Sequence, residues 1–335
     1  MSEELVWHNI RDLTIEGQGW VDTLAPFDRL PARAEGVVRE AVWALSRHSA
    51  GINARFISDS DRIDARWTLT ADGMPLVHMA PTGVKGLDLY GKVGGEWRWA
   101  GVGRPGDSAT NEGSLVAGME PTEREYQLYL PLYNGVSSVE IGVPSEFSVR
   151  AALVNERRPI LFYGTSITHG ASASRCGTCH VAVIGRHFDR PILNLGFAGN
   201  GEMESEVAAL VAEQDPAVFV IDCLPNMVAE QVTARAPMLV ETIRAAHDDT
   251  PILLVEDRTY GDAVFIPDKK QRNETSRLAL RAAYDSLIGA GTTNLHYMEG
   301  GQLLEGDDTV DGSHPTDLGF ARHAGAFIRE LTPLF

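Results

Sequence analysis

At 335 residues the chain exceeds the size at which one core keeps growing, so two domains are expected, and 44% hydrophobic residues suffice for a core in each. A formal net charge of −17 sets its field against phosphate backbones and anionic bilayers, which excludes nucleic acid and membrane surfaces as expected partners. No window approaches the ~18 consecutive apolar residues of a membrane span, MSEELVWHNI lacks a basic segment followed by an apolar one, and the three cysteines are too few for a disulfide framework, so a cytoplasmic chain is expected.

From residue 1 to 150 the sequence offers short alternating runs split by Gly, Pro, Asp and Asn. They are GVVREAVWAL (36–45), INARFIS (52–58), RIDARWTLT (62–70), GLDLYGKV (86–93), EWRWAGV (96–102), REYQLYLPLY (124–133) and VSSVEIGV (136–143). Alternation with regular turns predicts an all-β domain of antiparallel strands, a sandwich (jelly-roll-like in plan) or a barrel. Ile63, Ala65 and Trp67 are expected to face its core, and Arg62, Asp64 and Arg66 the solvent. Trp97 and Trp99 share one strand face; aromatic surfaces suit sugar rings, but burial is the commoner fate of a sandwich tryptophan.

Over residues 151–335 the pattern changes. Strands are predicted at ILFYG (160–164), ILNLG (192–196), AVFVID (217–222), ILLVE (252–256) and NLHYM (294–298), and helices over 202–214, 228–247, 273–291 and 316–331. Alternating strands and helices give a parallel sheet covered on both faces, with ligands at the carboxyl ends of its strands. This puts Ser166, the loop after Gly196 and the loop after Asp222 on one rim. The connection 257–272 exceeds the usual strand-to-helix loop and is either a lid over that rim or a surface excursion.

Ser166 ends an apolar strand. By itself that stretch reads first as Thr165, Ser166 and Thr168 capping a helix, and only second as a nucleophile. A nucleophilic serine needs a base and a group that orients it, and Asp311 three residues before His314 supplies both on one turn. Oxyanion donors are available from Gly199 in FAGNGE and from Asn226, although each also suits a turn or cap. Thr165, His169 and Tyr163 are candidates for the pocket wall, while His180 and His323 read as structural. Cys176 and Cys179, with His180, spell the haem-attachment pattern C-x-x-C-H, but the context of a parallel-sheet domain favours small packing residues on a first helix.

Taken together these stations resemble the four blocks of the SGNH, or GDSL-type, hydrolases. Gly164-Thr165-Ser166 is similar to the first block, with Thr165 where aspartate is usual. Asn194 through Gly199 resembles the second, Asn226 in CLPNM carries over from the third, where Cys223 departs from the pattern, and Asp311-Gly312-Ser313-His314 matches the fourth. GLDLY (86–90) looks like the β-rich domain that precedes the catalytic domain in one branch, similar to acetyl xylan esterases and carbohydrate deacetylases. The resemblance implies a flavodoxin-like three-layer α/β/α hydrolase domain over 151–335, with Ser166, His314 and Asp311 catalytic and Ser166, Gly199 and Asn226 forming the oxyanion hole. It implies no metal or organic cofactor, and an acetyl ester on a small molecule or oligosaccharide as substrate. Thioester or general short-chain ester hydrolysis, and carbohydrate binding on a hydrolase scaffold, are the alternatives.

Overall fold

The computed structural model describes residues 4–71, 77–301 and 303–335. It divides into two compact units. The first takes the chain up to Ala32, Arg47–Glu156 and Ala173–Thr178, and the second takes Arg33–Ser46, Arg157–Ser172 and Cys179–Phe335. Each unit is therefore assembled from segments that are not contiguous, unlike the single division after residue 150 expected from composition.

The first unit holds strands β1 (Leu5–Asn9), β2 (Thr14–Glu16), β3 (Asn53–Ser58), β4 (Arg62–Leu69), β5 (Leu87–Val93), β6 (Glu96–Gly103), β7 (Thr110–Ala117), β8 (Arg124–Tyr129), β9 (Val136–Pro144) and β10 (Val149–Ala151). One antiparallel sheet runs β1-β9-β4-β7; the other runs β10-β3-β8-β5-β6, with β2 beside β3. Ile63, Ala65 and Trp67 from the first sheet share one buried cluster with Phe56, Leu87, Leu89 and Leu128 from the second, which makes the unit a sandwich. Arg62 and Arg66 reach solvent on the opposite face, but Asp64 does not. It is 5% exposed and holds the Arg62 guanidinium at 2.7 Å. The tryptophans of β6 also depart from expectation. Trp99 is 53% exposed, with its indole N–H donated to Asp88 (3.0 Å) and the Arg175 guanidinium 4.9 Å above its ring.

Asp88, in the GLDLY stretch on β5, is buried and collects several donors. Besides Trp99 these are the guanidinium of Arg175 (2.7 Å) and the backbone N–H of Gly177 (2.9 Å). The 173–178 segment is thereby fastened to the sandwich. Cys176 opens a single 3-10 turn there rather than lying on a helix, and its thiol approaches the Gly86 carbonyl oxygen at 3.2 Å. Cys176 and Cys179 are each 1% exposed, so neither presents a surface to which a macrocycle could be attached.

The second unit carries β11 (Ile160–Gly164), β12 (Ile192–Gly196), β13 (Val218–Asp222), β14 (Ile252–Val255) and β15 (Leu295–Met298), all parallel, in the order β12-β11-β13-β14-β15. This is the flavodoxin-like order, whose switch point lies between β11 and β13, where ligands bind outside the carboxyl ends. Every residue of β11, β12 and β13 is buried, as apolar runs without alternation require. Helices Ser205–Ala212, Ala229–Ala246, Pro267–Gly289 and Asp317–Leu331 follow the predicted stripes.

Two predicted features change. The segment 36–45 holds no strand; Glu40–Ser46 is a helix, and burial of Val38, Val42 and Ser46 follows the i, i+4 spacing that its alternation obscured. The 257–272 connection shortens to ten residues, because the next helix begins at Pro267, at a position where a missing N–H costs nothing. Among the described residues no helix is long and apolar enough to cross a membrane.

Candidate active site

At the end of β11 the chain must turn sharply. A side chain on Gly164 would stand 2.2 Å from Thr168 Oγ1 and 2.9 Å from the Asp222 carbonyl oxygen, so only glycine fits. Thr165 then caps the helix Ser166–His169, its Oγ1 accepting the Ile167 N–H at 3.3 Å, and Gly170 ends it at φ 104°. The cap and the serine are thus separate residues. With Thr165 doing the capping, the Ser166 hydroxyl is left for another partner, and it lies 2.8 Å from His314 Nε2.

His314 is oriented by its own turn. Asp311 Oδ1 accepts the backbone N–H groups of Ser313 (3.0 Å) and His314 (2.8 Å), which leaves Oδ2 facing His314 Nδ1 at 2.7 Å. A carboxylate can only accept, so the network assigns the proton to Nδ1 and leaves Nε2 as acceptor toward the serine hydroxyl. Burial raises the Asp311 carboxyl, but these backbone and ring donors outweigh it and hold the group below its ordinary value. The Gly261 N–H donates to the Gly312 carbonyl at 2.8 Å, tying the turn after β14 to the same loop.

The glycine loop after β12 arrives beside the serine. Gly201 packs on the Gly164–Thr165 peptide: a Cβ there would stand 2.1 Å from the Gly164 carbonyl oxygen and 3.2 Å from Thr165 N. Its N–H donates to Asn226 Oδ1 at 3.2 Å, so the amide nitrogen of Asn226 turns to the other side, as a donor. Gly199, two residues earlier, is exposed and takes φ +69°, with open space where a side chain would be. Gly201, a neighbour in the loop of the Gly199 singled out in the sequence, is therefore in close contact with the serine turn. Asn194 adds a second lock, donating to the Thr168 carbonyl and accepting from Gly196 N–H, both at 2.9 Å.

Thr165, His169 and Tyr163 are all 0% exposed, so none of the three walls an open pocket. The Tyr163 hydroxyl donates to Glu204 inside the unit at 3.2 Å. Beneath the serine helix lies a buried polar group that the sequence did not reveal. Asp222 Oδ2 accepts from Thr168 Oγ1 (3.1 Å) and from Arg258 Nη2 (2.6 Å), and the same nitrogen meets His323 Nε2 at 2.7 Å. His180, Asp222 and His323 bring ligand-type atoms within 4.8 Å of one another. They do not suit a metal dication, because the Arg258 guanidinium already stands against two of them. Burial, followed by the charge of Arg258, lowers both histidines well below their ordinary value, so they are neutral.

A family model described as GDSL-like lipase/acylhydrolase matches residues 157–332, and one described as the N-terminus of Esterase_SGNH_hydro-type matches residues 5–149. Among solved structures, a Bacteroides ovatus protein provisionally described as a GDSL-like lipase is 33% identical, covering 99% of this chain and 98% of that one, with a TM-score of 0.95. The salicylyl-acyltransferase SsfX3 of a tetracycline biosynthetic pathway shares the fold at 19% identity, with a TM-score of 0.78 over 98% of this chain and 97% of that one. A family two carbohydrate esterase from Clostridium thermocellum shares it at 13% identity, with a TM-score of 0.61 over 85% and 92%. No curated protein matches the chain. Matched by the first model over more than half of its length, and with such a relative along nearly all of it, the chain belongs to the GDSL-like lipase/acylhydrolase family.

Proposed function

We propose that the protein is a serine esterase that removes acetyl groups from an O-acetylated carbohydrate, with Ser166 as nucleophile, His314 as general base and Asp311 as its orienting carboxylate. The observation that carries this is the hydrogen-bonded run from Ser166 Oγ through His314 to Asp311, at 2.8 and 2.7 Å. His314 Nε2 takes the hydroxyl proton as Oγ attacks the ester carbonyl, and the imidazolium that forms is stabilised by Asp311. The oxyanion is held by the backbone N–H groups of Ser166 and Gly199 and by the Asn226 amide. His314 then returns its proton to the departing alcohol, and water, deprotonated by the same nitrogen, releases acetate from the acyl-serine.

The carbohydrate part of the reading is supported by the shared fold with family two carbohydrate esterases. The charge of −17 favours neutral sugar esters over polyanionic partners and membranes. Acetate release from acetylated xylooligosaccharides, compared with acyl thioesters and long-chain esters, tests it. Acetate released from the sugars and lost in Ser166→Ala and His314→Ala is the expected result. Full activity in both variants would sink the mechanism, and a preference for thioesters would sink the substrate.

A further inference from the structure

We propose, resting on the esterase reading above, that the turn after β14 forms the acyl subsite, and that Tyr260 there limits the acyl group to two carbons. A small depression is walled by Ile167, Pro225 and residues 257–260 and rimmed by Gly312 and Ser313. Ile167, Pro225 and Ser313 are the chain neighbours of Ser166, Asn226 and His314, so the depression adjoins the residues that would carry and hold the acyl group. Its volume is about 210 Å³ including the solvent above it, but the enclosed part leaves only about 10 Å³ for the centre of a water molecule. That is room for about one water-sized body. A methyl group has similar bulk, so an acetyl fits and each further methylene must displace a wall.

The walls are braced against displacement. Arg272 donates through Nη1 to the Tyr260 hydroxyl and through Nη2 to the carbonyl oxygens of Pro225 (2.9 Å) and Met227 (3.3 Å), so one guanidinium joins both sides of the depression. The Tyr260 N–H donates to Asn273 Oδ1 (3.1 Å), and buried Asn273 also donates to the Arg258 carbonyl (3.0 Å). The Gly261 N–H to Gly312 bond, at 2.8 Å, fixes the turn to the rim. Tyr260 is the specificity-determining residue, and Arg272 is a positioning residue that acts through it.

The test is kcat/KM for p-nitrophenyl acetate, butyrate and hexanoate in the wild type, Tyr260→Ala and Arg272→Met, with thermal melts to show that each is folded. The wild type should prefer acetate to hexanoate by about 100-fold or more, since a misfitting methylene alone costs 10-fold or more. Tyr260→Ala should reduce that ratio to roughly 10-fold or less, chiefly by gaining on hexanoate. Arg272→Met, which keeps the ring but removes its brace, should move the ratio the same way by less, and it decides the matter if Tyr260→Ala does not fold. Equal turnover of acetate and hexanoate by the wild type, or an unchanged ratio in a folded variant, overturns the subsite while leaving the esterase intact. No turnover of any ester brings down the esterase reading and this proposal with it.

Discussion

Replacing Gly201 by alanine isolates the contact between the glycine loop and the serine turn. The new Cβ would stand 2.1 Å from the Gly164 carbonyl oxygen and 2.6 Å from its carbon, both backbone atoms that no rotamer change can move. Restoring the ~3.3 Å of a relaxed carbon–oxygen contact takes roughly 1 Å of displacement. The chain that yields is either Gly164–Thr165, which aims Ser166, or the loop whose N–H holds Asn226. A misplacement of about 1 Å at a reacting group can cost on the order of 100-fold in rate, or about 2.7 kcal/mol in the barrier. Overpacking itself should cost about 1–3 kcal/mol of stability. The assay is kcat for p-nitrophenyl acetate beside a denaturant melt. Gly185→Ala is the control, because its Cβ would meet the Ile192 side chain at 2.7 Å and destabilise the same unit without touching the site. The expected outcome is a loss of stability in both variants and a loss of kcat confined to Gly201→Ala. Retention of kcat within threefold, in a folded Gly201→Ala, would refute the argument.

Asp311→Asn should lower kcat by about 10⁴-fold with KM little changed, because an asparagine amide no longer fixes the proton on Nδ1. Its carboxyl is held below the ordinary value, so the stability it contributes is in place above about pH 4 and lost as the pH falls through its folded-state value. Acid unfolding curves should show that loss in the wild type and not in the asparagine variant. Asp88→Ala should destabilise the sandwich by about 3 kcal/mol, near the low end for a broken buried pair because Arg175 is partly exposed. A shift in urea midpoint worth less than 1 kcal/mol would show that the 173–178 segment is not held by that carboxylate.

Much of this was present in the order of residues. Apolar runs at 160–164, 192–196 and 218–222 could be read as buried parallel strands because a strand covered on both faces has no polar side to show, and their carboxyl ends located Ser166 and Asn226. Asp311 and His314 were legible because they act within one turn, where sequence spacing is spatial spacing. Thr165 was a cap in sequence and in structure, and the uncertainty lay in whether Ser166 shared that task.

What the tertiary structure alone decided are contacts between residues far apart in the chain. Gly201 packs on the serine turn, Arg258 pairs with a carboxylate 36 positions away, and Arg272 spans from Tyr260 to Pro225. No local pattern encodes these, since a glycine or arginine has the same spacing signature whether it turns a loop, coats a surface or braces a wall. The helix at Glu40–Ser46 makes the same point, because two turns of apolar residues fit either period until a partner surface selects one. Sequence determined which chemistry the chain could carry; the fold decided which groups stand close enough to perform it.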